Sequence, residues 1–298
     1  MVIKRKFQII ILLIIPCISS GQDFELLKNK AQSGDPVSQY ELGRGYYLGD
    51  FTEANQEKAD YWMEKSANQG YAKAQYYLGN KYFDGENTQV DKKLAFYWFK
   101  KSAEQGIVGA QSSLAYMYKV GAGTKKDEKK AFYWFKESAE QGHPKSQLEL
   151  GHMHSNGEAT PKDMAKAIFW YRESAQQGDR IAQYNLGYIY VTGKGVEIDK
   201  EKAFYWFEKC AEQGIFQAQN IIANMYLSGD GITIDEEKAF YWYKKSAELG
   251  SAKAQYHLGL LYANGKGTAI DKEKSKFWML KSYDNRYEDA IIYLNNND

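Results

Sequence analysis

Trp62, Trp98, Trp134, Trp170, Trp206, Trp242 and Trp278 are all the tryptophans of this chain, and each lies 36 residues from the next. A protein with one irregular core has no physical reason to space its indoles evenly. A chain built from one unit, copied and stacked on itself, does. Other residue types keep the same interval. A glycine recurs at Gly34, Gly70, Gly106, Gly142, Gly178, Gly214 and Gly250. A glutamine recurs at Gln39, Gln75, Gln111, Gln147, Gln183, Gln219 and Gln255. No insertion breaks the phase between Gly34 and Asn285, so seven units of 36 residues account for 252 of the 298 residues.

One unit, Gly178 to Gln213, shows how each is expected to fold. Ala182, Leu186, Gly187, Ile189 and Tyr190 are spaced for one face of a helix, helix A. Gly193 follows the last periodic residue, where a left-handed C-terminal glycine belongs. After a loop of about seven residues, Asp199 occupies the N-cap of helix B, its carboxylate placed to accept from free N–H groups. Ala203, Tyr205, Trp206, Cys210 and Ala211 continue at helical spacing, and Gly214 opens the next unit. Gly43, Gly79, Gly151, Gly187 and Gly259 recur inside helix A, with Ala115 and Ala223 in the same slot. A glycine inside a helix costs about 1 kcal/mol relative to alanine. Repeating that cost predicts a close helix crossing beneath an aromatic ring of helix B.

Phe96, Phe132, Ile168, Phe204 and Phe240 share a slot that becomes Asp60 in the first unit and Lys276 in the last. Both changes read as polar outer faces of terminal repeats, which no neighbour covers. Residues 22–33 resemble a lone helix B before the first unit, and residues 286–298 hold a lone helix A after the last. Sixteen helices are expected in all. Residues 1–21 differ in kind: Lys4, Arg5 and Lys6 precede an apolar run from Phe7 to Ile15, then small residues. This is the pattern of a secretory signal peptide, which predicts a secreted or periplasmic protein. An uncleaved membrane anchor and lipidation at Cys17 are the alternatives.

Charge and chemistry narrow the function classes. Without the leader's three cations the chain carries 36 basic and 38 acidic residues, and no basic run follows, which excludes a nucleic-acid surface. Cys210 is the one cysteine left after the leader, so no internal disulfide is available. It takes a slot held by serine in the other units, as expected of a small packed residue. His152 and His154 stand two apart on a helix and point to different faces, which argues against a metal site. His154 takes the slot of Tyr118 and Tyr190, as a packed substitute would. There is no nucleophile elbow and no phosphate-cradling loop, so neither catalysis nor a cofactor is expected. The recurring glutamines are expected to bond the backbone of neighbouring units.

Ala182, Leu186, Gly187, Tyr190, Gly193, Gly195, Asp199, Lys202, Ala203, Trp206, Lys209, Ala211, Gln213 and Gly214 together resemble the Sel-one-like repeat, a relative of the tetratricopeptide repeat. The resemblance covers residues 34–285. It implies an all-α fold, a right-handed α/α superhelical solenoid of stacked antiparallel helix pairs with helix A lining the concave side. It also implies a scaffold or adaptor role, with a protein or peptide as partner, in envelope regulation or host contact. A cysteine-rich branch of the family has been linked to β-lactam binding or hydrolysis, but this chain lacks the paired cysteines.

Helix-A positions that vary between units are free to specify a partner. One row is Tyr40, Tyr76, Ser112, Leu148, Tyr184, Asn220 and Tyr256. The next is Arg44, Asn80, Tyr116, His152, Tyr188, Asn224 and Leu260. From these, Tyr40, Arg44, Tyr76, Asn80, Tyr116, His152, Tyr184, Tyr188, Asn224 and Tyr256 are the candidate partner-binding residues. Tyrosine offers a large contact area with few rotors to freeze, plus one hydroxyl. Such a groove suits a peptide or a partner helix. The alternatives are that the tyrosines pack between adjacent A helices, or that stacked rings bind glycan in a cell-wall-binding module.

Overall fold

The 36-residue period becomes a chain of helices of nearly equal length. A computed structural model describes residues 21–50, 53–85 and 88–297. Residues 1–20, which hold Cys17 and all but Gly21 of the expected signal peptide, lie outside them. Sixteen helices and no strand occur among the described residues. They are α1 (Gly21–Gln32), α2 (Pro36–Leu48), α3 (Gln56–Asn68), α4 (Ala72–Asp84), α5 (Lys92–Ala103), α6 (Val108–Val120), α7 (Glu128–Glu140) and α8 (Pro144–Asn156). Then follow α9 (Met164–Gln176), α10 (Arg180–Thr192), α11 (Lys200–Glu212), α12 (Phe216–Ser228), α13 (Glu236–Glu248), α14 (Ala252–Asn264), α15 (Lys272–Asp284) and α16 (Glu288–Asn297). Even-numbered helices are the A helices and odd-numbered ones the B helices. The chain forms two compact units. One comprises residues up to Ala110 with Ala122–Thr124, the other Gln111–Gly121 with Lys125 onward.

Within each unit, successive helices pack as stacked pairs, α2 on α3 and α4 on α5 in the first, α8 on α9 through α14 on α15 in the second. The crossing inside a pair is close because helix A carries there no side chain, or in α12 only the methyl of Ala223. A Cβ on Gly79 would lie 2.4 Å from the Phe99 ring, one on Gly151 2.5 Å from Tyr171, and one on Gly187 2.7 Å from Phe207. Helix A therefore crosses over the residue after the tryptophan, which is the expected ring in these pairs but a methionine, Met63 or Met279, under Gly43 and Gly259. Phe99, Phe135 and Phe207 are at most 2% exposed. Burying such a ring contributes roughly 1.5–3 kcal/mol, which outweighs the helix propensity forgone at the glycine.

The A–B loop is closed at both ends. Gly193 ends α10 at φ 67°, its N–H donating to the Ile189 carbonyl. Asp199 accepts from Lys202 N at 2.9 Å, and its own N–H donates to Tyr190 O at 3.0 Å. Asn55 repeats the pattern with Lys58 N and Tyr46 O, and Asp271 with Lys274 N and Tyr262 O. A third tie joins the helices of a pair. Ser66 donates to Pro36 O at 2.6 Å, Ser102 to Ala72 O at 2.7 Å, and Ser282 to Ala252 O at 2.7 Å. Cys210 substitutes in this role, its Sγ 3.4 Å from Arg180 O, and burial pushes the thiol up to about 11.

The recurring glutamines clamp three helices at once. Gln183 donates through Nε2 to Ala175 O of the preceding B helix at 3.1 Å. Its Oε1 accepts from Gln213, at the end of its own pair's B helix, at 2.8 Å. The same double bond holds for Gln39 with Ala31 and Gln69, Gln75 with Ala67 and Gln105, and Gln147 with Ala139 and Gln177. The clamp fails once. Leu249 replaces the second glutamine, and Gln219 Oε1 is buried without a partner while Leu249 stands 56% exposed.

The reading of Asp60 as an outer polar face needs correction. Its slot faces the following helix pair, not solvent. Asp60 lies 3.0 Å from the ammonium of Lys81, itself only 9% exposed, and accepts from Tyr77 Oη at 3.0 Å and Gln56 Nε2 at 3.0 Å. A charge in an apolar slot is held there by a paired cation and hydrogen bonds. Lys276, by contrast, is exposed.

Two substitutions test this account. Gly187→Ala improves helix propensity yet should destabilise by about 1–3 kcal/mol, because the new methyl meets the Phe207 ring. Leu249→Gln should stabilise by about 1 kcal/mol by giving Gln219 Oε1 its missing donor. Urea unfolding followed by circular dichroism reads both, and a neutral result at either position would remove the corresponding contact from the argument.

Candidate functional site

The exposed face of the A helices is where residue identity changes from unit to unit. Its properties follow from how far each side chain is drawn into the crossing beneath it. In the first compact unit, the Tyr40 ring packs 5.2 Å from that of Tyr71, and the Tyr76 ring 5.9 Å from that of Phe99. Arg44 is tied to Glu41 by a hydrogen bond of 2.9 Å, and Asn80 is half-buried. Burial raises the phenol pKa of Tyr40 above its ordinary value. These tyrosines therefore pack and line the surface together.

In the second unit the two rows separate. In the first row, Tyr184 is half-buried with its ring 5.5 Å from Phe207, and burial raises its pKa. Tyr256 is half-buried between His257 at 5.4 Å and Tyr287 at 5.6 Å. Leu148 is only 7% exposed and belongs to the core. In the second row, Tyr116 and Tyr188 are about half exposed, at 47% and 53%, and Asn224 is exposed. His152 is half-buried, with its Nε2 3.1 Å from Asn185 Nδ2 and its ring 5.5 Å from Tyr171.

Part of this face is concave enough to enclose a ligand group. Two adjoining cavities of about 390 and 370 Å³ meet at Tyr184 and Gln217. The first is walled by Arg180, Ile181 and Ile215. The second runs along α10 and α12 past Val191, Ile221, Asn220 and Asn224 to Asp230 and Lys253. Asn220 donates from Nδ2 to Ser251 Oγ at 2.9 Å, while its Oδ1 is buried without a partner. The groove thus offers apolar walls, one half-buried phenol, amides, and charges of both signs at its ends. That composition matches ligand sites, in which a few placed polar groups orient a mostly apolar contact. It brings Tyr184 and Asn224 together, while the described cavities leave out Tyr116, His152, Tyr188 and Tyr256.

The rows missed Ile181, Gln217, Val191 and Ile221. These stand three residues from the chosen positions instead of four; the available signal was three aliphatic residues, Ile181, Val191 and Ile221, at that spacing inside helix A, while Gln217 gave none. A second feature was also missed. The B helices carry one half-exposed ring per unit, among them Tyr133, Phe169, Tyr205, Tyr241 and Phe277, at 48–52% exposure. Each rests edge-on against the tryptophan that follows it, at 4.9–5.2 Å. No group of three His, Cys, Asp or Glu residues able to hold a metal occurs among the described residues.

The Sel1 repeat model matches residues 36–71, 72–107, 108–143, 144–179, 180–215, 216–251 and 252–287. This chain belongs to the Sel1 repeat family. Such repeats typically mediate protein–protein interactions, and their scaffold proteins are generally non-enzymatic. A protective antigen of uropathogenic Escherichia coli displaying an SLR fold is 36% identical, with a TM-score of 0.86 over 91% of this chain. The chain covers 58% of that antigen's length. A Sel1 repeat protein from Oxalobacter formigenes is 29% identical, with a TM-score of 0.70 over 93% of this chain and 80% of its own. No curated protein matches the sequence. No described helix is long and apolar enough to cross a membrane.

The histidines make folding sensitive to acid. Burial lowers the pKa of His143, His152, His154 and His257, so the folded state favours their neutral forms. Unfolded imidazoles take up protons near pH 6.5. The associated stability is present above that value and lost as pH falls below it. The N-cap carboxylates of Asp127, Asp163, Asp235 and Asp271 are held below their usual range, first by the backbone N–H groups they cap. Their contribution is lost only at lower pH, as they protonate. Melting temperature should therefore fall between about pH 7 and pH 5 and again below about pH 4. A melting temperature unchanged between about pH 7 and pH 5 would contradict the burial of the imidazoles.

Proposed function

We propose that this Sel1 repeat protein is a non-catalytic scaffold that binds a protein or peptide segment along its A-helix face, with the groove around Tyr184 as the principal seat. The observation that carries this reading is the pair of adjoining cavities that share Tyr184 and Gln217. The half-buried tyrosine gives the groove a rigid floor, because Phe207 and the helix crossing hold its ring. A rigid aromatic anchor inside an apolar trough loses little conformational freedom when a partner docks. Arg180 at one end, and Asp230 with Lys253 at the other, set the charges a partner segment must complement. The remaining candidates are Tyr40, Arg44, Tyr76 and Asn80 in the first compact unit and Tyr116, His152, Tyr188 and Tyr256 in the second, Tyr188 on α10 itself. The basic, apolar and small-residue order of residues 1–21 supports export, which would place this scaffold in the envelope or outside the cell.

A second reading, a glycan-binding module, is favoured by the ring that the B helix of each of the seven repeats exposes at the same position. Aromatic rings of one kind at identical intervals, tyrosine or phenylalanine, are poorly suited to read a varied peptide, but they can contact a polymer that repeats. One experiment separates the two. Gln217→Lys/Asn224→Lys places charge in the groove at exposed positions, and Tyr205→Ala/Tyr241→Ala removes two outer rings. Crosslinked capture from an envelope fraction should retain a protein partner with the wild type and the ring variant and lose it with the groove variant. Sedimentation with insoluble peptidoglycan that only the ring variant loses, with no partner captured by any form, would overturn the scaffold reading in favour of the glycan one.

A further inference from the structure

The tyrosine that ends helix A in six units, among them Tyr118, Tyr190, Tyr226 and Tyr262, is replaced in one unit by His154. The ring position is kept. Phe132 meets the His154 ring edge-on at 5.5 Å, as Phe204 meets Tyr226 at 5.3 Å and Phe240 meets Tyr262 at 5.2 Å. The reach of the side chain is not kept. At Tyr190 the phenol extends far enough for its oxygen to accept from Arg172 at 3.4 Å. An imidazole stops short of that point, and here a cavity of about 400 Å³ opens beside it.

The walls of this cavity differ from those of the A-helix groove. Phe132, Leu150, Phe169 and Trp170 make it apolar and aromatic. Lys136, Lys166 and Thr160 complete its lining, two cationic residues and one that carries a hydroxyl. His154 is 5% exposed, and its Nδ1 has no partner within the protein. In other units the lysine equivalent to Lys166 lies over the tyrosine ring, as Lys202 does over Tyr190 at 5.6 Å and Lys238 over Tyr226 at 5.3 Å. With the phenol gone, Lys166 keeps only its pairing with Asp163 at 3.2 Å, and Lys136 only one with Glu140 at 3.7 Å. Both are exposed surface pairs, which contribute little and yield readily to a better-placed anion.

We infer that this cavity is a binding site for a small organic carboxylate with an apolar or aromatic body. The body fills the aromatic pocket, the carboxylate meets Lys136 and Lys166, and His154 supplies a ring nitrogen from the wall. Its volume lies in the range of small-molecule sites. Two cations beside apolar walls favour an amphiphilic anion over a neutral ring or a bare inorganic ion. The site lies between B helices and the end of α8, apart from the Tyr184 groove, so it stands or falls independently of the proposed scaffold function.

The test is a nuclear magnetic resonance titration of the whole protein with phenylacetate, with phenylacetamide as the neutral control. Saturable shifts should appear at residues of α7, α8 and α9 around the cavity, and phenylacetamide should bind roughly tenfold more weakly. His154→Tyr restores the residue of the other units, so it should fold, and it should lower phenylacetate affinity by at least about tenfold. Lys136→Gln/Lys166→Gln should abolish the preference for the carboxylate. Equal binding by wild type and His154→Tyr would sink the proposal, as would the absence of saturable binding up to about 10 mM. Equal affinity for the two probes would remove the anion from it.

Discussion

Everything in this chain depends on how closely the two helices of a pair approach. The contact is a bare stretch of helix A lying on a ring or a methionine of helix B, as with Gly187 on Phe207 and Gly259 on Met279. Close approach lets short groups bridge the pair. A serine hydroxyl can reach a first-turn carbonyl only across such a gap, and two glutamine amides can meet end to end only if their helices are held in register. Bulk at the crossing would separate all of these bonds together. The glycine is the condition for the polar clamp as much as for the apolar core.

Much of this order is legible in the sequence because a repeat states each rule seven times. A single glycine inside a helix is ambiguous, but five at one interval, with alanine at the remaining two, reveal a packing constraint. The same redundancy identifies the N-caps and the loop glycines. Asp60 was misread because its position in the first unit suggested an end. Which face a slot serves is decided by the next helix, and Lys81 and Tyr77 lie there to receive the charge. Periodicity says that two residues share a face and does not say what that face meets.

The binding surface is legible only in outline for the same reason. Spacing placed Tyr184 and Tyr188 on one side of α10 but could not show that Phe207 pulls the first inward while the second stays in solvent. Depth is a tertiary property, set by what lies underneath. The half-exposed rings of the B helices escaped notice because the lysines and glutamates beside them resemble an ordinary solvated face. Residues that break the repeat, Leu249 and His154, carry the most individual information. Each leaves a buried polar atom unpartnered where the other copies have none in that slot.

The exchange of serine for Cys210 has a consequence for how motion in this protein can be observed. The thiol is fully buried at the junction of α10 and α11, and it is the one cysteine among the described residues. Burial keeps it protonated and out of reach of reagents. It can react only during excursions in which that helix pair parts. In a stacked array such excursions need not involve every unit. The rate at which an added disulfide reagent modifies the native protein is therefore a clock for local opening at the junction nearest the Tyr184 groove. The molecule carries its own timing mark where partner binding would be expected to slow it.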